Sequence, residues 1–436
     1  MIVSNQLVNT LRNRRFWYWD HITGSNINSH LGDVNSIQSK PYNETFANRN
    51  LYLNNILQHA VKSCQFYYDY HNKTDTLEFF PVINKNIVRD HFTLFLSEYS
   101  QPDKDKVAST SGSTGTPFQV LQNKQKVIRN TADNLYFYSL VGYSPGDPIY
   151  YFRFWNAFAK KSVFLQHIQN ITPIDVFEMD DHFVGNLLSK LNKTKSKVTF
   201  LGYSSAFARI CEFIKTRQPD FQSTRVNAII AISESLDEHT RKSLKRYFGV
   251  DAVSRYSNVE NGIIAQELPG KRRFIVNKAS YHVEILSESS DEPVETGKTG
   301  RIVVTDFFNK SLPLIRYDTG DLGSLELHEG KLFLKQVLGR VIDQITNTDG
   351  ERLRGNIALI IHKYKNIKQC QIIQKGLGVY TIKLNVTSQF NEEKSLLHEY
   401  REYLGQSAKI NIEYVEEIPR LASGKMRVVA NETHGN

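Results

Sequence analysis

The sequence predicts an α/β protein: a large N-terminal α/β domain of layered sheets carrying a β-subdomain, and a small α+β C-terminal domain. Three observations predict it. Short apolar runs, "DPIYYFRF", "KVTFLGYS" and "VNAIIAISE", are separated by helical stretches such as "DEHTRKSLKRYFG", the pattern of parallel strands joined by crossover helices. From about Lys271, "RFIVNK", "YHVEILSE", "GRIVVTDF" and "KLFLKQV" follow with only Gly- and charge-rich turns between them, which suits a smaller β unit. After "LGRVIDQI" the texture changes again: helix ("NEEKSLLHEYREYL") mixes with short strands ("QCQIIQK", "VYTIKLNV", "KINIEYV"). These shifts divide the chain into a helical segment over 1–75 packed on the main domain, a large domain over 76–340 and a small domain over 341–436.

The first segment is aromatic-rich, and "NLYLNNILQHAVKSCQFYY" places apolar residues at helical spacing. "FFPVINKNIVRDHFTLFL" reads as a turn leading into a helix. "VASTSGSTGTPFQV", Val107 to Val120, is a loop, because its centre of glycines and hydroxyl residues is too polar and flexible for a strand interior. A helix is expected from about Lys124 to Leu140 before the strand–helix alternation begins.

Composition narrows the function. An apolar fraction of 40% over 436 residues supports a sizeable core. Cys64, Cys211 and Cys370 lie far apart and form no CxxC pair, so a reducing compartment is expected. No apolar run spans a bilayer, and "MIVSNQLVNTLRNRRFWYWD" lacks the apolar core of a signal peptide, so a cytoplasmic chain is expected. "RFWYWDH" has two readings, a docking face against the main domain or peripheral contact with a membrane beside Arg14 and Arg15. The net charge is +9, but the basic residues are scattered and no nucleic-acid motif accompanies them, so no nucleic-acid partner is expected. The 13 histidines include no HExxH and no Cys/His ligand cluster.

The hydroxyl-rich loop, Thr110, Ser111, Gly112, Ser113, Thr114, Gly115 and Thr116, is either an ordinary turn or a phosphate cradle. Glycine permits close backbone approach, and successive N–H groups with hydroxyls bind phosphate oxygens. It is not a Walker loop, since no Lys follows Gly115, and "TGKT" at Thr296–Thr299 fails because position 292 is Glu. Four further stretches share the ambiguity. Tyr256 and Glu260 in "YSNVE" could be a core aromatic and a surface charge; "DTGD", which ends at Asp321, could be an ordinary Asx turn; Arg340 lies in "GRVID"; Lys425 in "PRLASGK" could be an exposed loop lysine.

In this order, "TSGSTGTP", "SESL" (Ser233–Leu236), "YSNVE", "YDTGD", "GRVID" and "PRLASGK" resemble the six motifs of the adenylate-forming superfamily. The resemblance runs from about Asn54 to the end, and "PLIRYDTGDLG" is similar to the phenylacetate–CoA ligase branch, within it the CapK-like proteins of polysaccharide clusters. It implies an ATP-dependent ligase that joins a small carboxylic acid to AMP and passes the acyl group to an acceptor: the thiol of coenzyme A or a carrier protein, or an amine or hydroxyl on a sugar. It assigns the β- and γ-phosphates to the Thr110–Thr116 loop and adenine stacking to Tyr256. Ser257, Asn258, Ser233 and Glu234 line the nucleotide site, and Mg²⁺ goes to Glu260. Asp321 accepts from the ribose hydroxyls beside Arg340, and Lys425 bridges carboxylate and α-phosphate. The small domain then acts as a lid that must close. Glu260 and Lys425 are the expected catalytic pair, and Arg153, Phe154, Trp155, Tyr203, Ser204 and Ser233 the candidate acyl pocket. Transfer of AMP itself to a substrate, and a binding protein without catalysis, are the alternatives.

The sequence departs from that pattern at three points. Thr116 stands where many relatives carry Lys, the glycine usual beside Tyr256 is missing, and the hinge position two after Arg340 is Ile342, with Asp343 next.

Overall fold

The computed structural model describes residues 5–72, 74, 76–109, 118–155, 166, 169–194, 196–221, 225–340, 345–351, 353, 360, 364, 366–388, 390–419 and 428–433. Helices α1 (Asn5–Thr23), α2 (Ile27–Ser39) and α3 (Phe46–Ser63) form the N-terminal segment. The turn at "FFPVIN" leads into two short helices, α4 (Lys85–Asp90) and α5 (Phe92–Phe95), where one was expected, because the backbone leaves helical geometry at His91. Asn84 starts α4 by accepting the N–H groups of Asn86 and Ile87. A ribbon of β1 (Lys106–Ser109) and β2 (Gln119–Gln122) comes next, with Ser109 opposite Gln119, so the two ends of the 110–117 loop are clamped side by side. The loop itself lies outside the described residues. Helix α6 (Lys124–Ser139) matches the expected helix closely.

Among the described residues the centre is one sheet of eleven strands. Five are β3 (Ile149–Arg153), β4 (Ile171–Asp175), β5 (Val198–Tyr203), β6 (Val226–Ile232) and β7 (Val253–Asn258), ordered β4-β3-β5-β6-β7 and all parallel. The rest of the sheet is antiparallel, in the order β8-β9-β13-β12-β11-β10 from β7 outward. Their spans are β8 (Gly262–Glu267), β9 (Phe274–Val276), β10 (Tyr281–Leu286), β11 (Gly300–Asp306), β12 (Tyr317–His328) and β13 (Lys331–Arg340). Helices α7 (Asp181–Lys193), α8 (Ser204–Arg217) and α9 (Glu238–Phe248) connect the parallel strands. Every residue of β5 is buried, which is why the parallel strands read as unbroken apolar runs, while β10 alternates over its first four residues. Gly202 is required where β5 passes β3, since a Cβ there would sit 2.4 Å from the Cβ of Phe152.

The sequence pattern does not mark β12 as a strand. Its Thr319–Gly320 turn signal sits inside it, where the register against β11 shifts, so a turn signature marks a bulge and not an end. The Asx reading also holds locally, because Asp318 Oδ1 accepts the N–H of Gly320 at 2.8 Å.

The two halves of the sheet are riveted by a buried ion pair. Arg241 of α9 donates to Glu267 of β8 at 2.8 Å and to the carbonyls of Leu236 and Ala252, and Glu267 accepts the N–H of Ser254 on β7. Burial pushes the Glu267 carboxyl up, and the Arg241 charge draws it back. The C-terminal region forms its own four-stranded sheet, ordered β16-β15-β14-β17: β14 (Ile367–Gly376), β15 (Val379–Val386), β16 (Lys409–Tyr414) and β17 (Val429–Asn431). Its core joins Ile372, Ile382 and Leu384 to Leu396, Tyr400 and Leu404 of helix α10 (Glu393–Leu404).

Candidate active site

Register brings the predicted pocket and nucleotide residues to one edge. Phe152 lies opposite Gly202, Tyr203 opposite Ile232, and Ile232 opposite Arg255. At the carboxyl ends of β3, β5, β6 and β7 the register therefore sets Arg153, Tyr203, Ile232 and Arg255 level in a row, with Ser233 and Tyr256 one residue further along their strands. Adjacent strands are about 4.8 Å apart, so the row spans roughly 14 Å. In open α/β sheets this carboxyl edge is where ligands bind.

At the β3 end, Trp155 donates its ring N–H to the Tyr151 carbonyl at 3.1 Å and packs edge-on against the Tyr151 ring. The Arg153 guanidinium lies 5.7 Å from the Tyr151 ring centre and 5.2 Å from that of Trp155, while its Nε donates to the Phe154 carbonyl at 3.1 Å. Tyr203 and Ser204 are buried. Burial raises the Tyr203 hydroxyl, with the Arg153 charge opposing that rise. Ser233 has φ +67°, a left-handed backbone that a non-glycine residue seldom adopts. The residue after it, Glu234, accepts the N–H of Ser205 at 2.8 Å, at the start of α8.

The corner expected to take the nucleotide lies where the Tyr256 side chain of β7 reaches Thr319 and Asp321 of β12. Tyr256 donates its hydroxyl to Asp321 Oδ2 at 2.8 Å, and Thr319 Oγ1 lies 3.0 Å from the same hydroxyl oxygen. That bond fixes the ring, and base stacking would use a ring face rather than the hydroxyl. Burial, joined by the Asp321 charge, pushes the Tyr256 hydroxyl well up, so it stays a donor at neutral pH. Four residues along the turn, buried Glu260 accepts from the Tyr317 hydroxyl at 3.2 Å. Three supports hold this turn. Gln122 donates to the carbonyls of Val259 and Glu260, Asn258 accepts the N–H of Asn261, and Tyr281 donates to the Asn261 carbonyl. Tyr281 is held in turn by buried Lys126 at 3.0 Å, which pairs with buried Asp306 at 2.5 Å.

Asp321 lies opposite Arg340 in the β12–β13 register, which puts that pair of expected residues on neighbouring strands; the Arg340 side chain is outside the described residues. Ser257 and Asn258 close β7 beside Tyr256. The expected phosphate residues Thr110, Ser111, Gly112, Ser113, Thr114, Gly115 and Thr116, the hinge candidates Ile342 and Asp343, and Lys425 all lie outside the described residues. Sequence reasoning missed Tyr317, Thr319, Gln122, Lys126 and Tyr281. Tyr317 and Thr319 stood inside the "YDTGD" stretch that singled out Asp321. Nothing local marks Lys126 or Tyr281, whose role depends on a contact across 155 positions of chain.

Among the described residues no group of three or more His, Cys, Asp or Glu could hold a metal ion. A single buried carboxylate suits a hard cation that takes its other oxygens from phosphate and water, as Mg²⁺ does.

A family model described as the CapK C-terminal domain matches residues 345–432. The chain is similar to Protein CapK of Staphylococcus aureus, 23% identical over 286 residues, and that match covers 62% of this chain and 61% of that protein. It is 21% identical to a phenylacetate-coenzyme A ligase of Aromatoleum evansii over 49% of this chain and 52% of that enzyme. With the phenylacetate-coenzyme A ligase of Pseudomonas putida the identity is 20% over 81% of this chain and 76% of that enzyme. The chain thus spans about three fifths of the first of these relatives and about half of the second. Among solved structures, a 2-hydroxyisobutyryl-CoA ligase in the postadenylation state, in complex with R3-HIB-AMP, superposes with a TM-score of 0.71 at 15% identity, covering 91% of each chain.

Proposed function

We propose that this chain, which has the fold of the adenylate-forming enzymes, activates a carboxylic acid with ATP and then transfers the acyl group. The carboxylate oxygen attacks the α-phosphorus, the bond to the β-phosphate breaks, and pyrophosphate leaves. The observation that carries the reading is the strand register. It sets the Tyr256–Asp321 and Glu260–Tyr317 pairs at one end of the same edge that bears Arg153 and Tyr203. A nucleotide at the first would lay its α-phosphate toward an acid held at the second.

Asp321 retains acceptor capacity beyond the Tyr256 bond, since a carboxylate accepts at about four sites, and it takes the ribose hydroxyls. Glu260 would hold a Mg²⁺ ion, which when bound would supply charge neutralisation to the phosphates. Lys425 supplies the cation that offsets the approach of one anion to another, the largest barrier in this step. Acceptors for the acyl group are coenzyme A, a carrier-protein thiol, or an amine or hydroxyl in surface-polysaccharide assembly. Similarity to CapK favours the last, and similarity to the two phenylacetate-coenzyme A ligases favours the first.

ATP–pyrophosphate exchange over a panel of carboxylic acids tests the reading. At least one acid is expected to drive exchange, and Lys425→Ala is expected to reduce it by about a hundredfold or more. Exchange with no acid, or a product that retains AMP by mass, would overturn it.

A further inference from the structure

We infer that the outward face of α1 docks on an anionic bilayer surface. The four consecutive aromatics Phe16 to Trp19 do not share a face. Phe16 and Trp17 are half-buried, while Tyr18 and Trp19 are 64% and 54% exposed. Leu11 and Ile22 are also 53% and 57% exposed. At about 100° per residue, Leu11, Arg14, Arg15, Tyr18, Trp19 and Ile22 share one arc of about 140°.

The opposite side holds the helix to the protein. Asn9 donates to Asp147 at 3.2 Å, and Gly146 (φ +97°) lets the backbone approach so closely that a Cβ there would lie 2.8 Å from the Asn9 carbonyl. Asp20 is 7% exposed and accepts the N–H groups of Ile27 and Asn28 at the start of α2. It is the sole carboxylate in α1 and faces away from the exposed arc.

Charge selects the occupant. The arc carries two exposed arginines and no acid, and the whole chain is +9. A second copy docking about a two-fold axis would set arginines against arginines with no carboxylate to answer them. An anionic membrane answers them with its headgroups, while Tyr and Trp take the interfacial depth where an amphipathic ring is stable. No helix among the described residues is long and apolar enough to cross a membrane, so the geometry points to a helix lying on the bilayer. This surface is independent of the catalytic reading.

The test is cosedimentation of the full chain with phosphatidylcholine vesicles, with and without phosphatidylglycerol, alongside size-exclusion chromatography without lipid. The wild type is expected to sediment with the phosphatidylglycerol vesicles only. The paired substitution Tyr18→Ser with Trp19→Ser should weaken that binding by at least about tenfold. Arg14→Gln and Arg15→Gln should each weaken it about fivefold, the factor set by roughly 1 kcal/mol per basic residue at such a surface. All four sites are exposed, so circular dichroism should be unchanged. Failure to sediment, equal binding to neutral vesicles, or a shift in oligomeric state on substitution without lipid would each overturn the inference.

Discussion

At the parallel end of the central sheet, Arg153, Tyr203 and Ser233 stand at or just past the carboxyl ends of three strands, each running on into a loop or helix. At the antiparallel end, Tyr256 and Asp321 stand within strands and are joined by a side-chain bond, and Tyr317, also within a strand, donates to Glu260. The first arrangement fixes only the start of each connection and leaves the pocket shape to the loops and helices beyond the strand ends. The second fixes side chains against neighbours on both sides. Under the proposed function a nucleotide is the same in every turnover, so a rigid corner would suit it, whereas loop-bearing strand ends would suit a pocket matched to one acid. β7 belongs to both, parallel to β6 and antiparallel to β8.

The sharpest way to break this division is to cut the joint. Glu267→Ala leaves the buried guanidinium of Arg241 unpaired and removes the acceptor for Ser254. The expected cost is about 3–5 kcal/mol, as for other broken buried pairs. If the halves form one cooperative unit, urea unfolding should keep a single large-domain transition with a lower midpoint. Two separated transitions would show that they are independent modules and that the shared edge is incidental.

The next largest effect should separate the two ends functionally. Asp321→Asn keeps the shape of the corner and an acceptor for the Tyr256 hydroxyl, but removes the charge that ribose hydroxyls would meet. A hydrogen bond to a charged group contributes about 1.5–3 kcal/mol, so exchange should fall about tenfold to a hundredfold. The fall should be equal for every acid in the panel, because the corner does not touch the acid. An acid-dependent fall would mean that the two ends are not separable in function.

The same contrast governs what is legible in the sequence. The apolar runs of β3, β5 and β6 announce themselves because both faces are covered. Tyr256, Glu260 and Asp321 are legible through ordered short motifs, each weak alone. Tyr317 and Tyr281 are not, since a buried tyrosine looks the same in sequence whether its hydroxyl supports a catalytic turn or fills a core. Lys126 is harder still. It is 0% exposed in a helix, and its salt bridge to Asp306, 180 positions away, together with its bond to the Tyr281 hydroxyl, explains a lysine there. Long-range pairing leaves no periodic trace, and the bulge in β12 erases even the strand that carries Asp321.

The smallest expected effect concerns Arg153, and it bears most directly on the acid. Its Nε is spent on the Phe154 carbonyl, and its plane leans on Tyr151 and Trp155, which hold it at the β3 end of the edge. The outer guanidinium nitrogens would then meet whatever lies at the far end of the acyl chain. Arg153→Gln should change exchange with neutral-tailed acids by less than about threefold, because the reacting carboxylate sits nearer the nucleotide corner. An acid bearing a second carboxylate should lose about tenfold or more, the worth of one charge-assisted bond. Measuring kcat/KM for acid pairs that differ only in a terminal methyl or carboxylate reads this directly. Arg153→Lys separates charge from stacking: it keeps the cation but loses the planar contact with the two rings. If the lysine variant behaves like glutamine for both members of a pair, the guanidinium shapes the pocket wall and the substrate carries no second anion. If it restores the dicarboxylate alone, charge at the mouth of β3 sets the specificity, and the parallel end reads the acid while the antiparallel end reads the nucleotide.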